Sequence, residues 1–146
     1  IGFDWVLGGT NPDQALPLLE GSGLRYCPFP GIVVGHPSVL TGSIEEIAES
    51  ARSLTARSGV HGLDLLAYRH EGDVDRLVTE VLAASRGPVI AAGSIDSLER
   101  IKALNQHGVW AFTVGSAIFE NQFPAGTTVR EQVEYVLNAA AAAAPA

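Results

Sequence analysis

The sequence has one cysteine, Cys27, one lysine, Lys102, and only nine Lys and Arg side chains against sixteen Asp and Glu in 146 residues. Each shortage excludes something. A single cysteine rules out an internal disulfide and fits a reducing compartment, so a cytoplasmic location is expected. A Schiff-base aldolase needs a desolvated lysine inside its site. The one lysine lies mid-way along a helical run, on its outer face, so these residues offer no such mechanism. The net charge of −7 argues against non-specific binding to nucleic acid or to an anionic membrane surface. A local anion site stays open, because backbone amides bind phosphate without basic side chains. No apolar run reaches membrane-spanning length, and no stretch has the layout of a signal peptide. The glycines form neither a Walker nor a dinucleotide fingerprint. His36, His61 and His70 fall on separate elements without convincing metal-ligand spacing, so neither a cofactor nor a metal is expected.

What is present is a globular composition, 47% hydrophobic and 17% charged, enough for one domain with a buried core. Near-continuous apolar runs at 2–8, 24–29, 60–68, 88–92 and 109–114 read as strands, and each is followed by an amphipathic helix. Asn11-Pro12, the capping box Ser43–Glu46, Asp73 and the pair Asp96/Glu99 mark helix starts, and Gly108 marks a stop. A last helix is expected from about Thr128 to Ala139. Residues 30–42 (PGIVVGHPSVLTG) read as a long loop, and long loops at a catalytic face carry function or a lid. Five strand-helix alternations imply a parallel sheet covered by helices, an α/β fold. The expected division is a barrel-type domain over 1–138 and a fraying alanine-rich tail over 139–146.

The most informative stretch is Arg86–Glu120. It reads strand, helix, strand and the start of a short helix, and each strand ends in a Gly-Ser pair, Gly93-Ser94 and Gly115-Ser116. Glycine lets the backbone approach an anion, serine adds a hydroxyl, and the amides opening the next helix point at the ligand. One such pair would suit a tight turn equally well. Two on consecutive units favour a phosphate cradle.

On these residues, PVIAAGSIDSLERIKALNQHGVWAFTVGSAIF resembles the last two βα units of the ribulose-phosphate-binding barrel superfamily, with the match extending over about residues 60–120. That group includes phosphoribosyl isomerases, pentose-phosphate epimerases, and aldolases and decarboxylases of sugar acids. Many members carry Gly-Gly where this chain has Gly93-Ser94. The resemblance implies a (β/α)8 TIM-barrel type, with phosphate held by Gly93, Ser94, Gly115 and Ser116 after strands 7 and 8. Such a barrel typically takes about 200 residues or more. The chain therefore reads as the last five βα units, with about three upstream, or as a half-barrel that pairs with a second copy to cover its edges. The segment RYCPFPG is similar to the Schiff-base strand of sugar-acid aldolases but lacks the lysine.

For the chemistry, strand alternation sets Asp64 apart from Leu63 and Leu65 and turns it into the barrel, on the side of Tyr68. Asp64 is a candidate acid or base, or else a structural aspartate hydrogen-bonded within the barrel. Arg69 at the rim offers a planar fork for a carboxylate or second phosphate, or is simply solvated; His70 reads as bland. His36, between glycine and proline on the long loop, is a candidate mobile acid or base. Cys27 is a candidate nucleophile or a small core hydrophobe, and Asp4 a comparable outlier. His61 and His107 precede strands on the opposite rim and read as structural. The expected function is acid-base isomerisation, epimerisation or lyase chemistry on a small phosphorylated sugar-like metabolite. A non-catalytic sensor of such a metabolite and an inactive barrel fragment are the alternatives.

Overall fold

The computed structural model describes residues 2–143, and the strands within them are short, two or three residues each. In chain order the elements are β1 (Trp5–Leu7), α1 (Pro12–Leu19), β2 (Arg25–Cys27), β3 (Ile32–Val34), β4 (Val39–Thr41), α2 (Ile44–Thr55), β5 (Leu63–Leu65), α3 (Val74–Ala84), β6 (Val89–Ala91), α4 (Leu98–His107), β7 (Ala111–Phe112), α5 (Ser116–Phe119) and α6 (Val129–Ala143). The fold is mixed α/β. None of its helices among the described residues is long and apolar enough to cross a membrane.

The parallel strands stand side by side in chain order. Trp5 of β1 pairs opposite Arg25 of β2, Asp64 of β5 opposite Ile90 of β6, and Ile90 opposite Ala111 of β7. Between β2 and β5, the His61 amide donates to the Tyr26 carbonyl at 2.8 Å and the Asp64 amide to the Pro28 carbonyl at 3.0 Å. β1 and β7 form no ladder with each other, so there is no closed barrel among the described residues. Four strand spacings of about 4.8 Å would put these edges roughly 19 Å apart in a flat sheet. Trp5 and Trp110, at their amino ends, nevertheless have ring centroids 5.1 Å apart, so the sheet is strongly curled there.

Alternation sorts the strand residues. Leu63, Leu65, Val89 and Ala91 are buried in one cluster with Ile47, Ala51, Leu77, Val81, Ile101 and Leu104 from α2, α3 and α4. Asp64 and Ile90 take the opposite face.

The helix starts are local chemistry. Asn11 accepts from the Gln14 amide at 3.3 Å, and Asp73 accepts from the Arg76 amide at 3.0 Å. Ser43 and Glu46 exchange backbone-side-chain bonds of 2.8 and 3.2 Å, and these bonds hold the Glu46 carboxyl below its usual range. Ser43→Ala should cost about 1 kcal/mol, read as a lower urea midpoint with unchanged slope; an unchanged midpoint would show that the box contributes nothing.

Four expectations need correction. The cap of α4 is Ser97, whose Oγ accepts from the Arg100 amide at 3.3 Å, because the Asp96 carboxylate is taken up by the Arg100 guanidinium. The strand read as 60–68 ends at Leu65, and residues 67–69 form one 3₁₀ turn. That turn carries Tyr68 off the inner face; its hydroxyl donates to the Arg100 carbonyl at 3.2 Å and its ring lies 4.7 Å from the Arg100 guanidinium. The stretch 30–42 is largely an antiparallel hairpin, with Val33 opposite Leu40. Finally, α6 continues through 139 to Ala143, because Ala139 and Ala140 pack on the core and Asn105 donates to the Ala140 carbonyl at 3.2 Å. The rest of the expected tail, 144–146, lies outside the described residues.

Candidate functional site

Both Gly-Ser pairs follow parallel strands, one past β6 and one past β7, and the register of those strands brings them to one rim. There they line a single cavity of about 400 Å³, together with Arg69 and Thr113 and with Asp96, Glu120 and Gln122. Gly93 and Ser94 both lie in the left-handed region, at φ +79° and +54°. For serine that conformation is strained, and such strain persists where the surroundings impose it, commonly at ligand sites. On the other corner, the amides of Ser116 and Ala117 open α5, so no preceding turn satisfies them.

Arg69 joins the two corners to the hairpin. A Cβ on Gly93 would stand 2.9 Å from Arg69 Cδ and Nε, so the arginine stem lies directly on the glycine. Its Nη1 donates to the Ser38 carbonyl, just before β4, at 3.3 Å. His70 fixes the other end of that hairpin, its Nε2 donating to the Gly42 carbonyl at 3.0 Å while its Nδ1 accepts from the Gly72 amide. Among the described residues Arg69 is the one cationic side chain lining the cavity. Asp96 is neutralised by two 2.9 Å contacts to Arg100, whereas Glu120 forms no ion pair among the described residues.

Asp64 is not among the lining residues. It lies one residue from the end of β5, nearer the rim than the reading of a longer strand placed it, but only 5% of its surface is exposed. The space in front of Gly8 holds the Phe29 ring and, at 3.6 Å from a Cβ built there, Asp64 Oδ2. Asp64 Oδ1 has no hydrogen-bond partner among the described residues, which removes the expected structural role through bonding of that oxygen. Burial without a partner pushes the carboxyl up to about 6.

Cys27 is fully buried beside it. Burial first, and then the Asp64 charge, push its thiol up to about 11, so it stays protonated and is poorly suited to act as a nucleophile. His36 is exposed at the turn of the hairpin. The structure thus brings together Gly93, Ser94, Gly115, Ser116 and Arg69, and leaves Asp64 and Cys27 buried outside the cavity lining and His36 at the surface. Among the described residues no three His, Cys, Asp or Glu side chains are placed to share a metal ion.

Sequence reasoning missed Thr113, Glu120 and Gln122. Thr113 could have been found, since it stands two residues before Gly115 at the end of the same strand. Glu120 and Gln122 depend on the path after α5. That path is set by Gln132, whose buried amide donates to the carbonyls of Phe123 and Gly126 at 3.1 and 2.8 Å and accepts from the Phe123 amide at 3.2 Å.

No family model matches this sequence, and no curated protein matches it.

Proposed function

We propose that the chain is an arc of five βα units of a phosphate-binding (β/α)8-type barrel and that its rim cavity holds the phosphate of a small sugar-like metabolite. The observation that carries this reading is the convergence of Gly93-Ser94, Gly115-Ser116 and Arg69 on one cavity. The chain-order arrangement of parallel strands supports the barrel part; in a complete eight-stranded barrel the edges β1 and β7, which meet here at Trp5 and Trp110, would part to admit the remaining strands. Backbone amides and two hydroxyls bind the anion at close range, and Arg69 adds a charge-assisted fork. A remote phosphate anchor supplies binding energy for orienting the reacting end of the substrate. In this reading Asp64, with its pKa near 6, moves the proton at carbon or oxygen in an isomerisation, epimerisation or retro-aldol type cleavage.

A second reading, a non-catalytic sensor of the same ligand, is favoured by the seclusion of Asp64 from the cavity lining. Both readings share one test. Inorganic phosphate and phosphorylated pentoses should raise the melting temperature, and Ser94→Ala with Ser116→Ala should require about five- to tenfold more ligand for each lost bond to the anion. Absence of stabilisation by every phosphorylated compound, or identical titrations in the double variant, would sink both. Deuterium exchange at the carbon beside a carbonyl of the bound sugar then separates them: exchange supports the enzyme, and binding without exchange supports the sensor.

A further inference from the structure

The chain's two tryptophans both stand at the end of the sheet opposite the Gly-Ser cavity. Trp5 opens β1, Trp110 immediately precedes β7, and their rings meet at 5.1 Å with a 39° tilt. Beside them is a shallow cleft of about 590 Å³ to which Arg25, His61 and Arg86 also contribute, and among the described residues no carboxylate lines it. The Arg25 guanidinium lies 5.0 Å from the centroid of the Trp5 ring, which holds it at the wall of the cleft.

His61 is gripped by the backbone of β2. Its amide donates to the Tyr26 carbonyl at 2.8 Å, and its Nδ1 accepts from the Tyr26 amide at 3.2 Å. An accepting Nδ1 leaves the proton of the neutral ring on Nε2, so the exposed ring is a fixed donor. Arg86 is tied through its amide to Thr55 Oγ1 at 3.1 Å. Arg52, Arg57, Arg76 and Arg100 all form ion pairs with carboxylates, and Arg25 and Arg86 form none among the described residues. In a chain of net charge −7, two unpaired guanidinium groups and an imidazole N–H on one patch reverse the local sign. Trp110 beside them is 58% exposed, which leaves aromatic surface for a ligand to stack on.

We propose that this cleft binds a small aromatic anion, its ring stacked on Trp110 and its charged group held among Arg25, His61 and Arg86. An aryl carboxylate and a nucleoside monophosphate share that chemistry. The overall negative charge disfavours an extended polyanion. The site is independent of the Gly-Ser cavity and of any reaction there, and it belongs to the five-strand arrangement in which the Trp5 and Trp110 rings meet.

The two tryptophans are the whole indole content of the protein, so intrinsic fluorescence reports this cleft and not the opposite rim. The full chain is titrated with adenosine monophosphate, with benzoate and with inorganic phosphate. A saturable change with the first two is expected, with inorganic phosphate needing at least about tenfold more. Arg86→Gln should weaken the response to both aromatic anions at least about tenfold through loss of a charge-assisted contact. Arg130→Gln on exposed α6, an equal change of charge far along the chain, should leave it within twofold. The proposal is overturned if neither aromatic anion gives a saturable change. It is also overturned if inorganic phosphate matches them, or if Arg86→Gln and Arg130→Gln behave alike.

Discussion

Asp64→Asn is expected to stabilise the protein near pH 8 by as much as about 3 kcal/mol, which for a chain of this length is a rise of roughly 5–10 °C in melting temperature. The reason is the buried, unpartnered carboxylate. Its pKa stands at about 6 in the folded protein against an ordinary 3.8. Below about pH 3.8 the carboxyl is neutral in both states and costs nothing. Between there and about pH 6 the unfolded chain ionises while the folded one holds its proton, so wild-type stability falls as pH rises. Above about pH 6 the full penalty of a desolvated charge is in place. Asparagine carries no such charge, so the gain should be largest near pH 8 and fade toward pH 4. Melting curves of both proteins across that range check it; a difference independent of pH, or a loss at pH 8, would contradict the seclusion of this carboxylate. The same substitution should reduce any proton exchange in bound substrate by about a hundredfold or more. A variant that is both more stable and inactive has the signature of a group kept for chemistry against the interest of the fold.

That Asp64 points away from the helices was legible from strand alternation, since Leu63 and Leu65 both face the core and are fully buried. Its depth was not legible, because Phe29 and Gly8 reach it from other strands. The same division runs through the fold. Asn11, Ser43, Asp73 and Gly108 act on amides and carbonyls within their own turns, so their roles follow from a few adjacent letters. Strand limits depend on partners elsewhere: the apolar run LLAY continues past Leu65, but the ladder stops and a 3₁₀ turn takes over. The hairpin of β3 and β4 was hidden in what read as a loop. Ile32-Val33-Val34 and Val39-Leu40 are short, and their arrangement is fixed from outside by Arg69 and His70. Of the cavity, the two Gly-Ser pairs could be read directly. The side chains brought in by the return after α5 could not, because a buried glutamine nine residues from Phe123 determines that return.

The cavity itself makes the second large prediction, and two glycines separate its causes. Gly93 and Gly108 have nearly the same left-handed φ, +79° and +77°. A Cβ at Gly108 would meet nothing within 4 Å, whereas one at Gly93 would stand 2.9 Å from Arg69 Cδ and Nε. Alanine at either position should cost about 1–2 kcal/mol for the backbone conformation alone. At Gly93 the methyl group must also push the arginine stem aside and occupy the close approach that an anion would use. Gly108→Ala is therefore expected to melt lower but to respond to phosphate as the wild type does. Gly93→Ala should melt lower by at least as much and need about tenfold more phosphate, or more, for the same stabilisation. Arg69→Gln tests the other half of the contact without backbone strain: it should keep the wild-type melting temperature to within a few degrees and lose a similar part of the phosphate response. If Gly93→Ala titrates like Gly108→Ala, the corner after β6 is only a turn. If Gly93→Ala fails to bind while Arg69→Gln binds normally, the anion is held by backbone amides alone and the arginine serves to anchor the hairpin through Ser38.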